Sequence, residues 1–365
     1  MNSPARVGVV GCGVISRHYA ENAKAFDSFE LVACADLDES QAQALAEEHD
    51  LRAASVDELI GDPSIDVVLN LTPPAAHAAV IRACLAAGKH VYTEKPLATD
   101  TTDAAELVAE AGRLGLRIGC APDTFLGSAY QAGRALFDGG AIGEPLSVSA
   151  AVLVGAQETW HPNPDIFFAD GAGPLLDMGP YYLTAIVSLL GPVARVAGFA
   201  STRTRERTIE IGPRAGERFA VATPSHATAA MELESGVTAN LVASFETNGQ
   251  YVSDLEIHGT EGVISFPDPN GFDGPVRMRR GREGWEEVPF AARGDRDARG
   301  IGLHELVEAI AADRPERASG SLGLHVVDVA RGILIAAAES RVVEIDSRAY
   351  QPEAMPVETI ASPGV

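Results

Sequence analysis

The stretch Val7-Gly8-Val9-Val10-Gly11-Cys12-Gly13-Val14-Ile15-Ser16 decides the fold of the N-terminal third. Arg6 to Val10 is an apolar run bounded by glycine, the pattern of a strand buried on both faces. Val14 to Phe26 carries helical apolar spacing. Between them lies Gly-x-Gly-x-x-Ser, a variant of the dinucleotide-binding fingerprint. Gly11 permits the tight turn, and Gly13 lets the backbone approach a pyrophosphate. The helix opening at Val14 and Ile15 directs its free N–H groups at that anion. Ser16 replaces the third glycine with a residue still small enough for close helix–strand packing. After a strand and before a helix, the motif stands in the context that gives it meaning.

Working outward, strand and helix alternate. Glu30 to Asp36, Asp66 to Leu71, Lys89 to Thr93 and Arg117 to Cys120 read as strands. Glu39 to Asp50, Ala75 to Ala87 and Asp100 to Leu114 read as helices, the last with Asp100 or Thr101 as N-cap. This rhythm predicts an α/β dinucleotide-binding (Rossmann) domain, a parallel doubly wound sheet with helices on both faces, over residues 1–123. Asp36 ends the second strand, where a carboxylate suits the ribose hydroxyls of NAD and repels the 2′-phosphate of NADP; Leu37 and Asp38 supply no arginine to bind that phosphate. NAD is therefore the expected cofactor.

Composition sets the outer bounds. The chain has 365 residues, room for about two domains of roughly 150 residues. Hydrophobic residues make up 46% and charged residues 22%, ordinary globular values. A net charge of −23 argues against nucleic acid as a partner. The apolar runs are too short to predict a membrane span, and no signal-peptide pattern opens the chain, so a cytoplasmic location is expected. Cys12, Cys34, Cys84 and Cys120 form no Cys-x-x-Cys pair and read as buried thiols, and the histidines lack metal-ligand spacing; no metal is expected. Of 28 basic residues only Lys24, Lys89 and Lys95 are lysine. A lysine kept against that arginine bias hints at a position where arginine would not serve, since only lysine can trade protons near neutral pH.

Beyond Cys120 the rhythm changes. A helix from Gly127 to Phe137 is followed by strand-like runs at Leu146–Val154, Ala194–Ser201, His226–Glu234, Thr238–Glu246, Asp254–His258 and Val263–Phe266, with a hairpin turn at Glu234-Ser235-Gly236. The expectation is an α+β C-terminal domain over 124–350, with a large, mainly antiparallel open-faced sheet, and an irregular tail over 351–365. The helices 301–313 and 322–340 are expected to cover this second domain or the cleft. Arg277 to Arg282 reads as a solvated strand and turn. Asp177 and Tyr181, four apart, are expected on one face at the start of a helix running to Leu190.

Two segments sit at carboxyl ends of strands, where open α/β sheets bind ligands: Thr72-Pro73-Pro74 with His77, and Glu94-Lys95-Pro96. With the glycine turn and Gly171–Tyr181, they make the chain resemble the Gfo/Idh/MocA oxidoreductases (glucose–fructose oxidoreductase, inositol dehydrogenase, rhizopine catabolism) from about Arg6 to Val343. The resemblance implies hydride transfer between NAD and a secondary hydroxyl of a sugar, sugar derivative or cyclitol. It assigns Lys95 to a place beside both the nicotinamide and the reacting hydroxyl, as a cofactor contact and a catalytic residue, Glu94 to the cofactor side, and a cis Lys95–Pro96 bond. Thr72, Pro73 and His77 join Gly11, Gly13, Val14, Ile15 and Asp36 as cofactor contacts. Either Tyr181, standing where many members have histidine, or Lys95 becomes the proton acceptor, with Asp177 to orient or charge-balance the pair. A tyrosine base needs a cation to lower its pKa, and Lys95 would supply it. Asp123, at the end of the last parallel strand, and Trp160 and His161, in a proline-rich loop, are candidate substrate contacts. The resemblance also implies a homodimer or homotetramer through the C-terminal sheet. Two rivals share the scaffold: an NAD-dependent glycoside-cleaving enzyme with no net redox change, and a non-catalytic ligand sensor.

Overall fold

The structure, a computed structural model, describes residues 3–247, 251–290 and 298–356. Two compact units emerge: Met1–Leu126 with Asp297–Leu324, and Gly127–Arg296 with His325–Val365.

The first unit is built on six parallel strands: β1 (Ala5–Val10), β2 (Phe29–Ala35), β3 (Arg52–Ala54), β4 (Val67–Asn70), β5 (His90–Thr93) and β6 (Ile118–Cys120). Their order is β3-β2-β1-β4-β5-β6, so the winding reverses between β1 and β4. The carboxyl ends of those two strands therefore bracket the switch point at which such sheets take ligands. β4 is buried along its whole length, and β1 except at Arg6, as strands covered on both faces must be. The short strand β3 and the helix Val56–Gly61, opened by a capping box between Ser55 and Glu58, are elements that periodicity did not reveal.

The expected domain boundary needs correction. Asp297–Leu324 belongs with the first unit, not the second. Three anchors explain why. The Asp123 carboxylate accepts the N–H groups of Gly300 and Gly302 at 3.2 and 2.9 Å, at the start of the helix Ile301–Ala311. Cys120 N–H donates to Ala318 O at 2.8 Å, and Gly119 bridges Ser319. This returning segment thus completes the free edge of β6 and covers it, which an edge strand requires.

The second unit holds β7 (Pro145–Leu153), β8 (Val193–Ser201), β9 (Glu206–Thr208), β10 (Arg218–Ala220), β11 (His226–Leu233), β12 (Thr238–Ser244), β13 (Val252–Gly259), β14 (Gly262–Phe266), β15 (Arg277–Arg280), β16 (Glu286–Glu287) and β17 (Val343–Glu344). Nine of them form one sheet ordered β16-β15-β14-β13-β7-β12-β11-β8-β17. All neighbours are antiparallel except β7 and β12, which run parallel. β11 and β12 meet at the expected hairpin, where Gly236 takes φ +84°.

Burial alternates along β11 and β12, so one face of the sheet is core and the other is open. On the core side Tyr130 stacks on Phe266 at 5.3 Å, and Gly133 leaves room for that ring; a Cβ there would fall 2.2 Å from it. The helix Gly179–Leu190 is buried at all twelve positions, as a helix apolar all round must be. On the open face Phe199 is 81% exposed. The irregular segment 351–356 is held to this unit by Gln351 to Leu189 O, Arg134 to Pro352 O and Met355 N–H to Gln131.

One helix, Gly320–Glu339, is long and apolar enough to cross a membrane by length and composition, against the expectation that no segment would be; 56% of its most apolar window is buried within the fold, as in a core helix.

Candidate active site

The glycine turn behaves as two different glycines. Gly11 has φ +99°, and an added Cβ would lie 2.6 Å from the backbone of Leu71, so the fold itself demands glycine. Gly13 has an ordinary φ of −74°, and its Cβ would meet nothing of the chain within 4 Å. No packing within the protein requires glycine there. What it provides is clearance over the start of the helix Val14–Ala23, whose first turn has no side-chain cap and no acidic residue. That combination, free N–H groups under a bare backbone, fits a dinucleotide pyrophosphate.

Asp36 is tied into the same turn. Its Oδ2 accepts the Cys12 N–H at 2.7 Å and its Oδ1 the Asp38 N–H at 2.9 Å. Asp38, not Asp36, caps the following helix by accepting from Ser40 N–H. Asp36 is therefore a half-buried carboxylate aimed at the glycine turn, with lone pairs left for a ribose. Val14 and Leu37, 80% and 95% exposed, offer apolar surface at this edge.

The two strand-end loops are cross-braced. Asn70, fully buried at the end of β4, donates to Thr93 Oγ1 at the end of β5 and accepts the Thr72 hydroxyl at 2.7 Å. Glu94 accepts the Tyr19 hydroxyl at 3.0 Å and the Lys95 N–H at 3.1 Å. The Lys95–Pro96 bond is cis, as is Ala121–Pro122, which the sequence reading did not foresee. Asn70 and Tyr19 are site-building residues that sequence reasoning missed. Asn70 stood inside the quoted motif, whereas Tyr19 gave no signal because its partner lies 75 residues away.

Two expected roles change. His77 was expected among the cofactor contacts, but it has no exposed surface, and both ring nitrogens face backbone carbonyls, Pro96 O at 2.6 Å and Thr72 O at 2.8 Å. It supports the loops from behind. Asp123 was expected at the substrate; it is 2% exposed and spends its carboxylate on the amides of Gly300 and Gly302. Burial, opposed by those amides and by Arg299, pushes its pKa up to about 6.

In the second unit, Asp177 ends a one-turn helix, Pro174–Asp177, and Tyr181 opens the next, Gly179–Leu190. The pair thus spans a joint at Met178 rather than sharing one helix. Asp177 is half-buried, and Met178, the N-cap residue of the longer helix, makes no side-chain capping bond. Tyr181 lies close enough to Tyr251 that their charges would repel, one of the causes that push the Tyr251 phenol up after burial and its bond to Asp268. Tyr182, the adjacent alternative, is fully buried and donates to Ser253 at 2.7 Å, and burial pushes its phenol up.

Trp160 and His161 lie on a loop of two short 3₁₀ turns. Trp160 is 53% exposed and meets His161 edge-on at 5.6 Å, and Phe167 completes the aromatic group. His161 Nδ1 accepts the Asn163 N–H at 3.1 Å, which leaves Nε2 as the protonated position in the neutral ring. Beneath the loop Arg207 bonds Glu158 and Glu246 and lies over Phe168, a buried charge group that anchors it. All four cysteines are free and buried, and no metal-holding cluster occurs among the described residues.

These features converge on an oxidoreductase that uses a nicotinamide dinucleotide. The family model "Oxidoreductase family, NAD-binding Rossmann fold" matches residues 5–121, and the "GFO/IDH/MocA C-terminal domain" matches residues 130–265. The chain is 31% identical to the dTDP-3,4-didehydro-2,6-dideoxy-alpha-D-glucose 3-reductase of Streptomyces violaceoruber, over 77% of this chain and 79% of that one. It is 29% identical to the 1,5-anhydro-D-fructose reductase of Ensifer adhaerens, over 71% and 74%. Among solved structures, levoglucosan dehydrogenase in complex with NADH and L-sorbose shares the fold with a TM-score of 0.83 at 22% identity, covering 94% of this chain and 99% of that one. The chain belongs to the GFO/IDH/MocA oxidoreductase family.

Proposed function

We propose that the chain is an NAD-dependent dehydrogenase or reductase that interconverts a secondary hydroxyl and a ketone on a sugar, a sugar derivative or a cyclitol. The observation that carries this reading is the Glu94-Lys95-Pro96 turn, which the braces from Tyr19, Asn70 and His77 hold at the carboxyl end of β5. A lysine fixed by its backbone yet half-exposed at its side chain is suited to meet a substrate oxygen. Bound NAD would supply the hydride acceptor.

The remaining steps belong to this chain's residues. Lys95 would hydrogen-bond the reacting oxygen and stabilise its negative charge. Tyr181 would take the hydroxyl proton, with Asp177 orienting it and balancing the charge. The exposed Trp160 ring offers a face for the apolar side of a sugar ring. Asp36, followed in the chain by Leu37 and Asp38 rather than an arginine, favours NAD over NADP. The names of the two relatives, both reductases of keto-sugars, support the substrate class. The open sheet face with Phe199 is the proposed homo-oligomer interface.

The test is NADH formation by the purified protein across aldoses, keto-sugars, inositols and sugar acids, with Lys95→Ala alongside. Signal on one class, lost in the variant, supports the reading. NAD binding without NADH on any member would favour the glycoside-cleaving alternative, which release of a phenol from aryl glycosides would then detect.

A further inference from the structure

His77 lies near the start of the helix Pro74–Ala86 and is enclosed on all sides. Its two nitrogens address the two strand-end loops: Thr72 follows β4, and Pro96 follows β5 directly after Lys95. Both partners are carbonyl oxygens, which have no proton to give. A neutral imidazole carries one N–H and one bare nitrogen, so it can bond only one of them. The other contact would set two lone pairs against each other at hydrogen-bond distance. Turning the ring over does not help, because it would put C–H groups at 2.6 and 2.8 Å from oxygen, where such contacts settle at about 3.3–3.6 Å. Only the imidazolium satisfies both carbonyls.

We propose that His77 is a cationic staple, its two N–H groups joining the Thr72 and Pro96 carbonyls, and that it is a positioning residue for the turn bearing Lys95. The charge has opponents and an ally. Burial above all, with the Lys95 ammonium, holds the ring's pKa below the ordinary histidine value, while the two carbonyls and the Glu94 carboxylate pull the other way; the double carbonyl contact is set against that burial. Glu94 is bonded to Tyr19 and to the Lys95 amide, so a single fixed carboxylate steadies both the cation and the turn it holds. The positioning role rests on the reading of Lys95 given above; the protonation state does not.

The experiment is a long-range ¹⁵N–¹H correlation spectrum of the full chain, labelled with ¹⁵N-histidine, at neutral pH, with His77 assigned by through-bond correlation to its own backbone. Protons on both ring nitrogens are expected. A single protonated nitrogen would overturn the staple, and this readout needs no substrate, no activity and no variant. The positioning role is read separately in H77Q, whose amide can donate to one loop but not to both. There kcat should fall by ~10–100-fold through displacement of Lys95 while KM for NAD holds. An unchanged kcat would overturn the positioning role. A wild-type chain inactive on every substrate would overturn the dehydrogenase reading and leave the spectrum as informative as before.

Discussion

In the first unit every candidate side chain stands at or just beyond the carboxyl end of a parallel strand; in the second, Asp177 and Tyr181 stand at a joint between two helices that no sheet rule singles out. The difference lies in how each position is specified. A doubly wound sheet focuses function at its switch point by topology, so a motif can be located by counting strands. A mainly antiparallel sheet has no such focus, and the pair is found only by its spacing and its likeness to relatives. The strand-end loops are also cross-braced by side-chain hydrogen bonds, and Tyr181 sits on a helix buried at every position. The first unit should therefore tolerate loss of a functional group without loss of geometry.

The sharpest test of that contrast is Lys95→Met. Its backbone partners stay in place, so NAD affinity should hold while kcat/KM falls ~10²–10³-fold, the range for loss of one donor to a developing oxyanion. Isothermal titration with NAD, beside steady-state rates, separates the two; equal loss of both would mean that the turn, not the ammonium, had been damaged.

In the second unit the comparison is between neighbours. Tyr181→Phe should cost on the order of 10²-fold or more in kcat if its hydroxyl moves the proton. Tyr182→Phe should leave kcat alone and lower stability by ~1 kcal/mol, since it deletes one buried bond to Ser253. Rates and urea midpoints for the two variants decide it, and an activity loss in Tyr182→Phe alone would reverse the assignment.

Much of the first unit was legible because its signals are local. The glycine turn, Asp36 and the Glu94-Lys95-Pro96 turn each read from a few adjacent residues, and so, in the second unit, did the strand-like runs and hairpin turn of β11 and β12. What stayed hidden depends on partners far along the chain. The Asp123 cap is closed by amides 177 and 179 residues away, and no pattern near Asp123 announces them. The same contact carries Asp297–Leu324 back to the first unit, so the boundary and the role of Asp123 were misread for one reason. His77 was recognisable as part of a motif, but whether it faces ligand or backbone is a matter of burial, which a motif does not encode.

The two glycines of the turn turn that lesson into a measurement. Gly11→Ala forces a positive φ on alanine and a clash with the Leu71 backbone, so it should cost about 3 kcal/mol or more of stability. Gly13→Ala meets no part of the chain and should leave the thermal midpoint nearly unchanged while weakening NAD binding. A Gly13→Ala protein that binds NAD normally would remove the pyrophosphate from this turn.

The smallest expected effect bears on the long-range contact itself. Burial raises Asp123 from an ordinary 3.8 to about 6 in the folded protein. A carboxyl whose folded pKa exceeds its unfolded value contributes stability that is full below the unfolded value. That contribution is lost as pH rises through about 6. Above that point the protein carries a buried charge, a liability of roughly 3 kcal/mol at most. Asp123→Asn keeps an oxygen for the Gly300 and Gly302 amides and places its amide hydrogens near the buried Tyr92 hydroxyl. The variant should therefore be the more stable protein at pH 8, with the gap closing toward pH 4, in urea unfolding followed across that range. Its KM for substrate should not move, because the carboxylate serves the returning segment and not the ligand. A variant less stable than the parent at pH 8 would show that the charged cap holds that segment by more than burial costs it.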